Sequence, residues 1–285
     1  MSVNITPHTY QIDDIEFSHQ GANLTASTDF EFLQGDFDFD IANFTVDAGK
    51  KGSFKLGGLS VTSTFATIDD VMVIDQSDGL LKNIAFNAQD QGLSYEANDI
   101  STTSSVSFVD QKLSINADFT VNSVTVNNPD ANYTLKDSVI EFSLDDIDQQ
   151  AYLELEQISR QLNPEPQQMT EVLMALVSAG GKGNISKFNF NINDVQFDSS
   201  AQFSLAPYQG TAITDELNQH VAQNLQLKSQ LNLSNNYGQI FAQFKPMIEH
   251  FIQSGYAAVD SEGNVSSKLS FENGQLTAND TAISM

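Results

Sequence analysis

FDFDIANFTVD (Phe37–Asp47) alternates apolar and polar residues, breaks step once, and then alternates again. Phe37, Phe39 and Ile41 occupy one set of alternate positions, Phe44 and Val46 the other, with Ala42 and Asn43 between them. Period two is the signature of a strand with one buried face. Strict alternation needs one residue between the two apolar pairs, and here there are two. Either one residue is bulged out, or the strand bends, for both pairs to reach the same core.

With Asp36 added, the same stretch puts Asp36, Asp38, Asp40 and Asp47 at the first, third, fifth and twelfth positions of a calcium loop. Such a loop requires Gly at its sixth position and a bidentate Glu at its twelfth. Ile41 and Asp47 stand there instead. In a strand the three leading aspartates stand roughly 6.5–7 Å apart on a solvated face. The strand reading is preferred, with no metal.

The spacing apolar-x-apolar-x-x-apolar-x-apolar recurs at Tyr10, Ile12, Ile15, Phe17, at Phe119, Val121, Val124, Val126, and at Phe190, Ile192, Val195, Phe197. Polar stretches such as SHQGAN (18–23) and DAGKKG (47–52) follow, and alternation then resumes, which is a hairpin rhythm. Helical spacing appears in 145–162 (Ala151, Leu155, Ile158, Leu162), with Asp145, Asp146 and Asp148 at its N-terminus. Pro164 and Pro166 break that helix and start a second, striped by Met169, Val172, Leu173, Leu176 and Val177 and ended by AGGKG (179–183). A third follows over Ile240–Ile252, with Pro246 as a kink or second start and Gly255 as its cap. The expected fold is α+β and β-dominated: a long curved antiparallel meander with two to four helices packed against it. Residues 1–145 form the meander, and 146–285 supply helices and returning strands continuous with the same sheet.

Composition narrows function more than it defines it. The net charge is −25, which excludes nucleic acid as a partner and disfavours an anionic membrane surface. The absence of Cys removes thiol chemistry and argues against a eukaryotic secreted domain. Asn-X-Ser/Thr triplets are read as chance in a chain rich in those residues. No stretch approaches the roughly 20 apolar residues of a membrane span. His8, His19, His220 and His250 are dispersed and fit no metal-ligand spacing. No Gly-x-Ser-x-Gly elbow or phosphate loop is present, so no catalytic residue and no cofactor is assigned. Seven phenylalanines, Phe37, Phe39, Phe44, Phe119, Phe188, Phe190 and Phe197, alternate with polar neighbours and are the candidate lining of a core or an apolar groove.

The C-terminal segment reads as a helix cap, a strand, a turn at Glu262-Gly263, a strand, a turn at Asn273-Gly274, and a last strand. Gly255-Tyr256 and Asn273-Gly274-Gln275-Leu276-Thr277-Ala278-Asn279, with Asp280 where the pattern has a final Gly, resemble the C-terminal end of the YdgA-like family of Gram-negative envelope proteins. The likeness covers the C-terminal half. It implies a periplasmic protein of unknown function, held to the inner membrane by an N-terminal segment that this chain lacks. It carries no catalytic residues.

The expectation is therefore a non-enzymatic envelope module that acts by binding or scaffolding, with a protein partner or an apolar ligand. A carrier of lipid in a sheet groove is the alternative, and a carboxylate-pair hydrolase a more distant one. Open sheet edges offer a further docking mode, by accepting a partner's strand.

Overall fold

The computed structural model describes residues 1–161, 163, 165–210 and 215–283. Strand accounts for 61% and helix for 20%, a β-dominated α+β fold with antiparallel pairing. The chain forms two compact units, the first of Met1–Ser105, Ala117–Val139 and Phe190–Asn193, the second of Val106–Asn116, Ile140–Asn189 and Asp194–Met285.

The first unit begins with β1 (Ser2–Ile5), β2 (His8–Ile12), β3 (Ile15–His19) and β4 (Ala22–Thr28). The long strands β5 (Gln34–Asp47), β6 (Ser53–Ile68), β7 (Val71–Ala88) and β8 (Leu93–Val109, to Ser105 in this unit) follow as a meander. Both β3 and β4 pair with β5, while β2 pairs with β3 and β1 with β4. Each of the pairs β1–β2 and β3–β4 is thus one long run interrupted in its middle. Portions of β9 (Lys112–Asn127) and β10 (Asn132–Asp148) complete the unit, which contains no α-helix.

FDFDIANFTVD is strand along its whole length, and its two extra residues are not a bulge. Ile41 faces Leu59 and Asn43 faces Gly57, the same register on both sides of the break. The pairs β6–β7 and β7–β8 likewise keep register across Gly58, Lys82 and Asp99. Positive φ falls at this level on alternate runs: Gly21 (φ 105) between β3 and β4, Gly58 (φ 61) in β6, and Asp99 (φ 49) in β8. Along this transverse line β5, β6, β7 and β8 keep register, so the alternation resets there without a bulge. The register shift in β6–β7 lies elsewhere, between Thr64 and Phe65. Glycine suits Gly58 twice over: its φ is left-handed, and a Cβ there would lie 2.8 Å from the Lys82 side chain.

Two of the four copies of the spacing have a different cause. Ile12 pairs with Ile15 across a turn at Asp13–Asp14, and β11 (Gly181–Ile192) ends where Asn193-Asp194 turns into β12 (Val195–Leu205). These copies are hairpin ends, not bent strands. Asn193-Asp194 shares positive φ at both positions, between 47° and 74°, with Asp69-Asp70, Asp110-Gln111, Asn273-Gly274 and Asn279-Asp280. That is the two-residue hairpin geometry whose twist matches the strands it joins.

The second unit holds α1 (Gln149–Ser159), α2 (Pro166–Ala179), α3 (Asp215–Asn224), β13 (Leu225–Leu233), α4 (Lys245–Gln253), β14 (Ala258–Val259), β15 (Val265–Glu272), β16 (Gln275–Ala278) and β17 (Thr281–Ile283), together with β11 up to Asn189 and β12. Its main core joins Val195, Leu233, Ala257 and Val265, packed by Phe197, Leu231, Ile248 and Ile252. Asp145 and Asp146 belong to β10 rather than to a helix, because the strand continues to Asp148. Asp148 is the N-cap of α1, its Oδ1 accepting from the Ala151 N–H at 3.0 Å. Burial on α1 falls on Ala151, Leu153 and Ile158; Leu162 and Pro164 lie outside the described residues. Pro166 opens α2, Gly180 (φ 70) ends it, and Leu173 of its expected stripe is exposed. Pro246 is a second start, in the first turn of α4 after two 3₁₀ turns, and Gly255 (φ 79) lies just past its end. Sequence reading missed α3, whose one buried residue is Leu217.

Tyr152 in α1 donates to Glu156 Oε1 at 3.1 Å, with its ring edge-on to Phe108. Burial, then the negative charge of Glu156, pushes the phenol up to about 12. A group raised in the folded state contributes stability fully present below its unfolded value of 10.0 and lost as the pH rises toward 12. Urea midpoints should therefore fall between those values. Lys182, beside Asp146, is also raised and contributes to the same fall. Tyr152→Phe should flatten only the tyrosine's share; an unchanged profile would contradict this assignment.

Candidate functional site

The strand pairings sort the first unit's side chains into rows. One row runs Ile5, Ala22, Ile41, Leu59, Leu81, Ile100, and beside it run Val3, Leu24, Phe39, Val61. Beyond the transverse line come Phe44, Leu56, Ile84, Ala97 and then Tyr10, Phe17, Val46, Phe54, Phe86, Tyr95. The intervening rows are polar: Asn4, Asn23, Asp40, Ser60 in one, and Ser2, Thr25, Asp38, Thr62, Asp78, Thr103 in another. One face is apolar and the other is built of Asn, Asp, Ser and Thr.

Such a face normally lies against a helix layer or a second sheet. Here most of it is only half-buried, and Val3, Ile5, Tyr10, Ile12, Phe37 and Phe86 are exposed. Of the seven phenylalanines named as lining a core or a groove, Phe37 and Phe119 are 38% and 41% exposed. The same unit buries Val71, Val73, Ala88, Ala97 and Val121, so exposure differs along the sheet. Phe39 and Phe44 are half-buried on the same face, and Phe190 is half-buried within the unit. Phe188 and Phe197 belong to the second unit, where they meet edge-to-face at 5.3 Å and Phe197 packs on the main core. The seven candidates thus divide between the two units.

On the polar side, a groove of about 660 Å³ follows the transverse line across β1 to β7. Its walls include Asn4 and Asn23 from one side of the line, and Asn43 and Asn83 from the other. Polar rows from both sides therefore border one opening, whose lining also includes Ile5, Ala22, Ile41 and Leu59 beside the line itself. Asn4 Nδ2 donates to Asn23 Oδ1, and Asn43 Nδ2 donates to Gln20 Oε1 at 2.7 Å. Lys55 and Lys82 stand in the same groove with a single carboxylate, Asp40. Sequence reading missed this site because Gln20, Asn43, Gly58 and Lys82 meet only through strand register. Asp36, Asp38 and Asp40 lie on the polar face opposite Ser27, Thr25 and Asn23, in strand rather than loop geometry. Among the described residues no group of three or more His, Asp or Glu converges as metal ligands would.

Two further features are structural in character. Among the described residues β1 pairs with β4 and β2 with β3, each along one side. The C-terminal motif closes a hairpin. Gly255 follows α4, and Tyr256 stacks edge-on with Phe251 while its carbonyl accepts from Ser267 Oγ at 2.7 Å. Asn273-Gly274 turns β15 into β16, where Leu276 faces Phe271. Asn279 then ties these parts together: its Oδ1 accepts from the Lys268 N–H at 3.1 Å, and its Nδ2 donates to the Gly255 carbonyl at 3.2 Å. Asn279→Ala loses both bonds at a positive-φ position and should cost about 2 kcal/mol, read as a lower urea midpoint. No change would show that neither bond contributes.

Asp260 accepts from Asn264 through side chain and backbone and from the Glu262 N–H, and these bonds hold its carboxyl below the ordinary aspartate value. The direction is opposite to the one a general acid needs.

No curated protein and no solved structure matches the chain. The profile of one family matches residues 1–285, well beyond the C-terminal half that the closing motif suggested. Its description is a bacterial protein of unknown function, and with its whole length covered the chain belongs to that family, DUF945.

Proposed function

We propose that the protein is a non-enzymatic binding module of the bacterial cell envelope, and that the apolar sheet face of its first unit is the binding surface. One observation carries this reading: apolar rows run side by side, each over four to six strands, and most of their residues are only partly buried. Ordinary monomers rarely expose a continuous apolar patch above a few hundred Å². Keeping such a face in water is unfavourable by roughly 25 cal/mol per Å². An occupant that covers it recovers that free energy.

The composition of the face favours an apolar ligand such as an acyl chain over a protein. Protein interfaces carry about one hydrogen bond per 100–200 Å². The row from Ile5 to Ile100 offers none from its side chains over six strands. The periplasmic placement rests on the resemblance of the C-terminal motif, Gly255-Tyr256 and Asn273–Asn279, to that of envelope proteins. The test is titration with the neutral dye N-phenyl-1-naphthylamine, followed by displacement with a long-chain monoacylglycerol. Saturable fluorescence that the lipid displaces supports the reading. Absence of saturable binding rejects the apolar-ligand form of it.

A further inference from the structure

We infer that the groove along the transverse line is a separate binding site, for an anionic saccharide. It runs along the transverse line, where carboxamides and two lysines line it beside smaller apolar residues. Its volume of about 660 Å³ sits within the roughly 300–1,000 Å³ typical of small-ligand sites.

The first argument is hydrogen-bonding complementarity. Asn4 gives its NH₂ to Asn23, and Asn43 gives its NH₂ to Gln20. That leaves the NH₂ groups of Asn23 and Gln20 and the carbonyl oxygens of Asn4 and Asn43 without another hydrogen-bond partner among the described residues. A sugar hydroxyl both donates and accepts, and a paired set of carboxamides offers both functions at adjacent points. The glycines keep this surface open. A Cβ on Gly57 would lie 3.1 Å from Asn43 Oδ1, and one on Gly58 would lie 2.8 Å from Lys82 Cδ.

The second argument is charge. The chain has 12 basic residues against 37 acidic ones. Arg160, Lys182 and Lys245 are ion-paired with Glu156, Asp146 and Glu249. Lys55 and Lys82 form no ion pair among the described residues, yet both stand in one groove that contains a single carboxylate, Asp40. An anion in the groove would give these two ammonium groups the partner they lack. Glu96, held to Asn83 at 3.2 Å, is the nearby acid that limits how much negative charge the ligand can carry.

The remaining ligand classes fit less well. A nucleotide base would need an aromatic platform, and no aromatic residue lines the groove. An acyl chain would strand the carboxamides unpaired. Pro7 supplies a small apolar patch suited to the C–H face of a sugar ring.

The test uses the full chain, trigalacturonic acid as the charged probe, neutral maltotriose, and inorganic phosphate. Calorimetry should give saturable binding of trigalacturonic acid, with maltotriose at least tenfold weaker. Nuclear magnetic resonance should show the side-chain NH₂ signals of Asn23, Gln20 and Asn83 moving with the same affinity. Lys82→Ala and Lys55→Ala should each lower affinity about tenfold, the loss of one charge-assisted hydrogen bond, with an unchanged melting temperature. Gly57→Val should fill the floor and remove binding; if that variant fails to fold, the lysine variants and the NH₂ signals still decide. Three results would overturn the inference: no saccharide binding, binding indifferent to both lysines, or phosphate binding as tightly as the trisaccharide, which would reduce the groove to a simple anion site.

Discussion

Replacing Phe39 and Leu59 together by glutamine should lower affinity for N-phenyl-1-naphthylamine at least tenfold while leaving the protein folded. The two side chains lie on adjacent rows and neighbouring strands of the apolar face, on β5 and β6. Each loses an apolar contact with the dye worth about 1.5 kcal/mol, which is about a tenfold change in affinity. Because both are only half-buried, each substitution should cost stability by about 1 kcal/mol, well short of a core truncation. The control is Thr62→Gln, on the polar face of β6, which should leave dye affinity as it was. Equal loss in the control, or no loss in the double variant, would mean that the dye binds elsewhere.

The largest stability effect is expected at Val195. Its side chain is 0% exposed and packs in the core shared with Leu233, Ala257 and Val265. Val195→Asp buries a carboxylate with no partner and should destabilise by on the order of 4–5 kcal/mol. Val195→Ala removes two methyl groups and should cost about 2 kcal/mol. The pair separates charge burial from lost volume: urea unfolding followed by near-ultraviolet dichroism should show the Ala variant shifted and the Asp variant without a cooperative transition. Two variants of equal stability would contradict the packing described for the second unit.

Much of this architecture was legible in residues read locally. Alternation in FDFDIANFTVD fixes a strand, and Asn273-Gly274 fixes a hairpin, because both signals depend only on neighbours in sequence. The helix starts at Pro166 and Pro246 and the end at Gly180 are legible for the same reason. The spacing of two between apolar pairs was ambiguous, since a two-residue turn and a transverse bend produce the same letters. Asp13-Asp14 and Asn193-Asp194 turn, whereas Ala42-Asn43 stays in register with Gly57. Only the pairing partner distinguishes them. The groove was illegible because Asn4, Gln20, Asn43 and Lys82 are distant in sequence and meet through register. Whether the apolar face is covered was equally hidden: Phe37 in a core and Phe37 on an open face have the same neighbours in sequence.

The central claim is that the first unit's apolar face holds an apolar ligand. Native mass spectrometry of protein purified gently from bacterial cells, followed by organic extraction of the same sample, tests it most directly. The account predicts a lipid bound in stoichiometric amount, recovered in the extract and lost in the Phe39→Gln, Leu59→Gln variant. A bare protein mass with an empty extract, or a lipid retained equally by that variant, would contradict it.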